Sequence, residues 1–468
     1  MRDLSAIIKA YDVRGLVPDE VNPGLARDIG RSFVQVLGIA ADDGGPGAVV
    51  VGHDMRPSGP ELVDAFAAGV TEAGADVVRI GLSSTDQLYF ASGSMGLPGA
   101  MFTASHNPAQ YNGIKLCRPG AAPVGQDTGL AQIRGLLEAD DLPGPASAAG
   151  LITDRPLLRD YAAFLRALVD INAIRHLKVV VDAGNGMAGL TVPAVLGSTE
   201  GLPQLPLTVV PMYFELDGTF PNHEANPIDP QNLVDLQKRV VSTGADLGLA
   251  FDGDADRCFV VDEKGEAVDP SALTAMIAVR ELEREPGSSI IHNLITSTAV
   301  PEIITEHGGV PIRTRVGHSF IKARMAETGA VFGGEHSGHF YFRDFWRADS
   351  GMLAALHTLA ALGGTPAGTG LSDLMRDYQR YVASGEINST VSNQARATAR
   401  VRGTYEGRDG VTIDELDGLT VSGPDWWFNV RPSNTEPLLR LNAEAKDAES
   451  MQRLRDDVLQ IIRAQDER

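Results

Sequence analysis

The sequence predicts an α/β architecture: three related α/β units plus a smaller C-terminal α+β domain. Three observations lead there. Strand-like apolar runs alternate with helical patterns through most of the chain, which is how parallel-sheet units read. The same strand, turn and helix order recurs three times, and the style changes near residue 370. The 468 residues also exceed one core, at about 100–200 residues per domain.

The first unit is clearest at AVVVG, 48–52, a short buried-type strand. Ser58-Gly-Pro-Glu61 follows with the spacing of a capping box, and Leu62, Phe66, Val70 and Ala73 then recur at helical intervals before Gly74. DVVRIGL, 76–82, supplies the next strand. LKVVVDAGNG at 177–186, leading into Leu190, Ala194 and Val195, and SIIHNLITSTAVPEII at 289–304 repeat this order. The helical LLRDYAAFLRALVD of 157–170, the strand CFVVDEKGE of 258–266 and the linker-like GGTPAGTG of 363–370 suggest domains at 1–156, 157–257, 258–368 and 369–468. The last reads as strand, loop and strand over 420–445, then a helix using Met451, Leu454, Val458 and Ile461.

Composition narrows the function. No apolar run approaches the about 18 residues of a membrane span, and the charged start MRDLSAIIKAYDVRG lacks the apolar segment of a signal peptide. A cytoplasmic protein with no membrane partner is therefore expected. Cys117 and Cys258 are the only cysteines. Lacking metal-type spacing, they suggest neither a disulfide framework nor a zinc site. The formal net charge of -21 argues against nucleic-acid binding, which requires a basic surface. An anionic ligand would need locally concentrated positive charge.

Four stretches could carry chemistry. In LGLAFDGDADRCFVVDEKGE, Asp252, Asp254 and Asp256 alternate in a loop between apolar runs, and carboxylates so close repel unless a cation neutralises them. An EF-hand is the rival, with Glu263 at the twelfth position. Arg257, however, stands where that loop needs glycine, and the flanks read as strands. Hard oxygen ligands with room for a phosphate oxygen favour Mg²⁺. In MFTASHNPAQYNGIK, Ser105 before His-Asn-Pro is either a turn residue or a hydroxyl in covalent catalysis. His106 is a poor base candidate, since adjacent side chains seldom point together. A metal site could instead supply the electrophile if the serine carries a phosphoryl group.

The third stretch, AVFGGEHSGHFYF, surrounds Glu335, His336, Ser337 and His339 with glycines; it suits a hydroxyl-rich ligand or is a solvated connection. The fourth, NVRPSNTEPLLRL, offers Arg431, Ser433, Asn434 and Thr435 within five residues, an inventory for a phosphate dianion or an ordinary turn. GNGMAG at 184–189 follows a strand, so a nicotinamide-dependent oxidoreductase is conceivable. Its acidic partner, Glu215, lies 31 residues after Gly184 rather than about 20, and Asp182 would repel a pyrophosphate.

Together KAYDVRG, TASHNP, FPNHEANP, DGDADR, GGEHSGH and RPSNTEP, in this order across nearly the whole chain, resemble the α-D-phosphohexomutase family, in its bacterial phosphomannomutase/phosphoglucomutase branch. The resemblance implies four domains around a central cleft. It implies a phosphorylated Ser105, with Mg²⁺ held by Asp252, Asp254, Asp256 and an oxygen of phospho-Ser105. Arg257 and Lys115 would sit beside the phosphoryl group. Glu335 and Ser337 would meet sugar hydroxyls, and Arg431, Ser433, Asn434 and Thr435 would hold the phosphate that is not reacting. Tyr11, Arg14, His318 and His339 match further cleft positions, with Lys115 and His318 the acid–base candidates.

The implied reaction passes the phosphoryl group from Ser105 to a hexose 1-phosphate. The hexose 1,6-bisphosphate turns in the cleft and the other phosphoryl returns, leaving hexose 6-phosphate. A hexose 1,6-bisphosphate is thus the expected activator, the partner a phosphosugar, and a monomer the expected state. Mannose or glucose phosphate fits better than an amino sugar, and phosphoglucosamine mutase is the runner-up. IIHNLITS at 290–297 departs from relatives that place a lysine there.

Overall fold

The computed structural model describes residues 3–40, 44–45, 47–142, 144–432 and 438–464. Four sheets organise the described residues, and three share one plan. In the first, the strand Ala48–His53 lies between Asp76–Leu82 and Gly99–Phe102, both parallel to it, and Tyr111–Arg118 pairs antiparallel with Gly99–Phe102. In the second, Leu177–Asp182 lies between Leu207–Met212 and Leu247–Phe251, with Cys258–Asp262 antiparallel beyond. In the third, Ser289–Asn293 lies between Val310–Thr314 and Phe332–Gly334, with Phe340–Phe342 antiparallel beyond. Each unit thus places its second, first, third and fourth principal strands side by side, and this repeat underlies the recurring sequence order.

The shared plan has a chemical consequence. The loop between the third and fourth strands holds TASHNP in the first unit, DGDADR in the second and EHSGH in the third. Loops at the carboxyl ends of parallel strands are where α/β folds place ligands. Here the equivalent loop of each unit points to one centre, where Arg257 and His339 even form an isolated β-bridge.

Packing explains why the loops stay together. One continuous apolar core contains Leu88 and Phe90 from the first unit, Leu177 and Val179 from the second, and Ile290 and Phe332 from the third. Trp346 adds an aromatic junction, stacking on Phe164 at 5.2 Å and meeting Phe90 edge-on at 6.2 Å. The fourth sheet, antiparallel throughout, has its own core around Val401, Phe428, Leu441 and Val458. It meets the third unit through Leu294, Ile295 and Trp427, with Glu444 accepting the Thr298 N–H and the Trp427 indole N–H. Among the described residues, no helix is long and apolar enough to cross a membrane.

Local expectations needed three corrections. Ser58 does precede the helix Gly59–Glu72, yet its hydroxyl accepts from Asn112 Nδ2 at 2.8 Å instead of capping. A boundary after 257 would cut an antiparallel hairpin, because Cys258–Asp262 pairs along its length with Leu247–Phe251. A boundary at 368 likewise separates the short helix Leu371–Met375 from the third unit, although Leu371 and Met375 are buried in the core shared by the first three units. The fourth sheet begins at Val382.

Asp86 ties the three units at one buried point. It accepts the Tyr161 and Ser350 hydroxyls, each at 2.7 Å, and the Ser84 hydroxyl. Burial outweighs those donors and pushes its carboxyl up from 3.8 to about 6. The folded protein therefore binds more protons here than the unfolded chain between about pH 4 and 6, and this group's contribution to stability is lost as pH rises through that window. Asp86→Asn should gain on the wild type across the window by on the order of 3 kcal/mol. Denaturation at the two ends of the window checks this; a pH-independent difference would contradict it.

Candidate active site

Ser105 is held in a conformation suited to display. Its φ of +48° is left-handed, which non-glycine residues adopt at a cost of order 1–3 kcal/mol, commonly at functional sites. Its N–H donates to Thr103 Oγ1 at 2.8 Å, and its hydroxyl donates to Asp252 Oδ2 at 2.7 Å. Arg257 Nη2 approaches the same hydroxyl at 3.3 Å and Asp252 Oδ2 at 2.7 Å. A serine, a carboxylate and a guanidinium from two units thus share one buried contact.

The neighbouring His106 does turn toward the serine, with Nδ1 at 3.2 Å from Oγ, so adjacency is no bar. What disqualifies it as a base is electrostatic. Burial, then Arg257 and Arg14, push its imidazole down to about 2, so it stays neutral and Nδ1 accepts from Arg257 Nη2 at 2.5 Å.

The aspartate loop reaches the serine loop because Gly253 has no side chain. A Cβ there would collide with the Ser105 carbonyl oxygen. Gly253→Ala is accordingly expected to cost about 1–3 kcal/mol and to depress activity by parting the loops. Denaturant unfolding and turnover measured on one sample would show both; unchanged values would contradict the close approach. GNGMAG braces this loop from behind. Met187 N–H donates to Gly253 O at 2.8 Å, and a Cβ on Gly186 would lie 2.7 Å from that oxygen. The glycines serve backbone packing, and no pyrophosphate site is needed to explain them.

Asp252, Asp254 and Asp256 bring carboxylate oxygens within 4.8 Å of one another. Asp254 also sits at the start of the helix Thr85–Met95, accepting from Thr85 Oγ1 at 2.6 Å and from its N–H through the carbonyl. Lys115 Nζ bridges Asp254 and Asp256, at 2.7 Å from each. Burial works against all three charges. It raises Asp252 to about 7, helped by the other aspartates and opposed by Arg257. For Asp254 and Asp256, burial is overcome by attraction, above all from Lys115, so both stay below the ordinary carboxylate value. Lys115 in turn is held well above its ordinary value against burial. Even so, Asp254 Oδ1 and Asp256 Oδ1 are buried with no hydrogen-bond donor. Such orphaned oxygens are costly, and a hard divalent cation is the partner they fit.

A cavity of about 160 Å³ opens over this centre, lined among others by Tyr11, Arg14, Ser105, Lys115, Arg257 and His339. Arg14 donates to Asn107 Oδ1 and Asp12 Oδ2, each at 2.6 Å. His339 Nε2 lies 3.7 Å from Asp256 Oδ1, and its Nδ1 meets Ser337 Oγ at 3.0 Å. Glu335 is buried, accepting from Asn293 Nδ2 and Gly317 N–H at 3.2 Å and from the Tyr341 hydroxyl at 2.7 Å. It therefore organises the third loop from within. Asn293, which ends the strand Ser289–Asn293, orients that carboxylate.

The remaining expected site residues stand apart. Arg431, on the fourth sheet, lies outside the cavity lining, 3.3 Å from Glu386 Oε2, with Nη1 buried and lacking a hydrogen-bond partner. Ser433, Asn434 and Thr435 lie outside the described residues. The backbone of His318 opens the helix His318–Thr328, and its side chain is outside the described structure. Three residues of this centre escaped the sequence reading. Thr85 grips Asp254, Tyr341 grips Glu335, and Arg56, between two parallel strands of the first sheet, reaches the serine loop. For Arg56 a signal existed, since DMRP directly follows the strand Ala48–His53, at its ligand-facing end.

Three equivalent α/β loops that converge on a serine, a carboxylate triad and paired cations define a multidomain enzyme for phosphoryl chemistry. The chain belongs to the phosphoglucomutase/phosphomannomutase family. Models of its alpha/beta/alpha domains I, II and III match residues 5–143, 159–265 and 269–381, and that of its C-terminal domain matches 386–461. A phosphomannomutase of Salmonella montevideo is 41% identical over 458 residues, covering 97% of this chain and 98% of the relative. A protein of Xanthomonas campestris described as phosphohexose mutases is 40% identical, with 97% and 98% covered. The crystal structure of a phosphoglucomutase/phosphomannomutase family protein from Burkholderia thailandensis superposes with a TM-score of 0.86 at 32% identity, over 98% of each chain. Enzymes of this family are phosphotransferase isomerases.

Proposed function

We propose that this enzyme is a hexose phosphate mutase acting on mannose 1-phosphate and mannose 6-phosphate, and also on the glucose phosphates. The observation that carries the mechanism is Ser105 Oγ at 2.7 Å from Asp252 and 3.3 Å from Arg257, beside carboxylate oxygens without donors. That surrounding suits a hydroxyl bearing a phosphoryl group. In the first half-reaction the free hydroxyl of the hexose phosphate bonds to phosphorus as the bond to Ser105 Oγ breaks. The hydroxyl proton passes to a base and Ser105 Oγ takes up a proton, so the serine is left as a neutral hydroxyl. In the second half the hexose 1,6-bisphosphate, turned end for end, returns its other phosphoryl to Ser105.

Arg257 and Lys115 offset the charge that develops on the moving group. Proton transfer falls to Lys115, held as an ammonium by two carboxylates, together with His318. Asp252, Asp254 and Asp256 would hold Mg²⁺, which when bound neutralises charge and polarises a phosphoryl oxygen. Tyr11, Arg14, Ser337 and His339 would border the sugar, with Glu335 setting the loop. Arg431, with Ser433, Asn434 and Thr435, would take the distant phosphate; its buried Nη1, 3.9 Å from Asp417 Oδ2 and without a hydrogen bond, keeps donors for an anion there. Free, buried Cys117 and Cys258 suit a reducing cytoplasm, where we expect a monomer activated by hexose 1,6-bisphosphate.

Relatives named phosphomannomutase support mannose. The test is a panel of mannose, glucose and glucosamine 1-phosphates with Mg²⁺ and a trace of hexose bisphosphate. Turnover highest on mannose 1-phosphate is the expected result. Preference for the glucosamine compound would move the enzyme to phosphoglucosamine mutase, and inactivity on all three would overturn the reading.

A further inference from the structure

We infer that Arg56 is a positioning residue whose buried guanidinium sets the geometry of the Ser105 loop and hence the rate of phosphoryl transfer. Deep burial of an arginine normally calls for complete pairing. Arg56 is 1% exposed, and its guanidinium has five N–H donors in a fixed planar fork. Nε donates to Asp54 Oδ2 at 3.2 Å. Nη1 donates to the carbonyls of Pro108 at 2.9 Å and Tyr111 at 2.8 Å. Nη2 donates to those of Ser105 at 3.0 Å and Asn107 at 2.7 Å. Every donor is used, and four of the five acceptors are backbone oxygens, three in the loop that carries the serine and the fourth, Tyr111, at the start of the strand it enters.

The anchor behind the fork is equally buried. Asp54 Oδ1 accepts the Arg56 N–H at 2.9 Å, and both side chains are fully enclosed. Phe220, from the second unit, lies 5.3 Å from the guanidinium and closes the pocket. Phe220 also approaches Gly253, so one ring touches both the holder of the serine loop and the aspartate loop. Because a planar fork satisfies carbonyls that diverge around Ser105, it stabilises the left-handed turn at φ +48°. An ammonium group has three donors and no fork, so lysine can restore the charge but not the geometry.

This inference rests on Ser105 being the phosphoryl carrier, and the experiment separates the two. Full-length wild type, Arg56→Lys and Asp54→Asn are compared for kcat and KM on mannose 1-phosphate, thermal midpoint, and hydrogen exchange of the 104–110 amides. The expected result is a fall in kcat of about 10²-fold for Arg56→Lys, the cost of roughly 1 Å of misplacement. KM stays within a few fold, and exchange across 104–110 is faster while the rest of the first unit keeps its protection. Asp54→Asn, which keeps the shape of the anchor, gives the same split at a smaller size and carries the test if Arg56→Lys does not fold. Folded variants with unchanged kcat and unchanged exchange at 104–110 would overturn the inference. A wild type that turns over mannose 1-phosphate yet carries no phosphoryl on Ser105 would instead overturn the carrier reading, with the exchange data still reporting on Arg56.

Discussion

Ser105→Ala is expected to abolish mutase turnover, by several orders of magnitude, with the fold intact. The loss is large because the group removed is the one whose bond to phosphorus forms and breaks, and covalent catalysis has no partial substitute. The fold survives because alanine keeps the small side chain, and the loop is held chiefly through its backbone. The Ser105 N–H bonds to Thr103 and its carbonyl to Arg56. What is lost in structure is the hydroxyl's hydrogen bond to Asp252, together with its longer contacts with Arg257 and His106, the first worth about 1–3 kcal/mol at a buried site. Steady-state assay with circular dichroism checks both halves. Near-normal activity on mannose 1-phosphate would remove the serine from the mechanism.

Removal of the divalent cation should be nearly as severe. Chelation is expected to silence the enzyme and Mg²⁺ to restore it, because Asp254 Oδ1 and Asp256 Oδ1 are left without donors in the buried loop. Lys115 alone cannot serve in place of the ion. Its ammonium already spans Asp254 Oδ2 and Asp256 Oδ2 and leaves the opposite oxygens without a hydrogen bond. Asp254→Asn should lower kcat by about 10²–10³-fold, the usual loss when one electrostatic contact at the reacting group goes. It should also raise the Mg²⁺ concentration needed for half-activity. An enzyme indifferent to chelator and to Asp254→Asn would show that the triad is a structural acidic turn.

The sequence and the structure agree where a motif is local. DGDADR could be read as a carboxylate cluster because its aspartates alternate within one short loop, and the structure gathers the three together. The recurring strand order foretold the three units because buried parallel strands carry their pattern within a few residues. What lay out of reach was contact between distant segments. Nothing in LSSTDQ announces that Thr85 will meet Asp254 across 169 positions, or that Asp86 will gather hydroxyls from Tyr161 and Ser350. Arg56 is the sharpest instance, since its partners are backbone carbonyls about 50 residues away, and carbonyls leave no trace in side-chain pattern.

The boundary after 257 failed for a related reason. CFVVDEKGE reads as the start of a unit, since a buried strand looks the same whether it opens a sheet or closes a hairpin. GNGMAG is the opposite case, a motif with a strong reputation that its spacing and Asp182 already argued against, and that glycine packing against Gly253 explains.

One measurement tests the central claim most directly. Enzyme phosphorylated with a labelled phosphoryl group, mapped to Ser105, is mixed with unlabelled mannose 1-phosphate and quenched within a single turnover. The account predicts that label leaves the serine at least as fast as product forms and appears in hexose 1,6-bisphosphate and mannose 6-phosphate. Product formed while the label stays on Ser105 would contradict it.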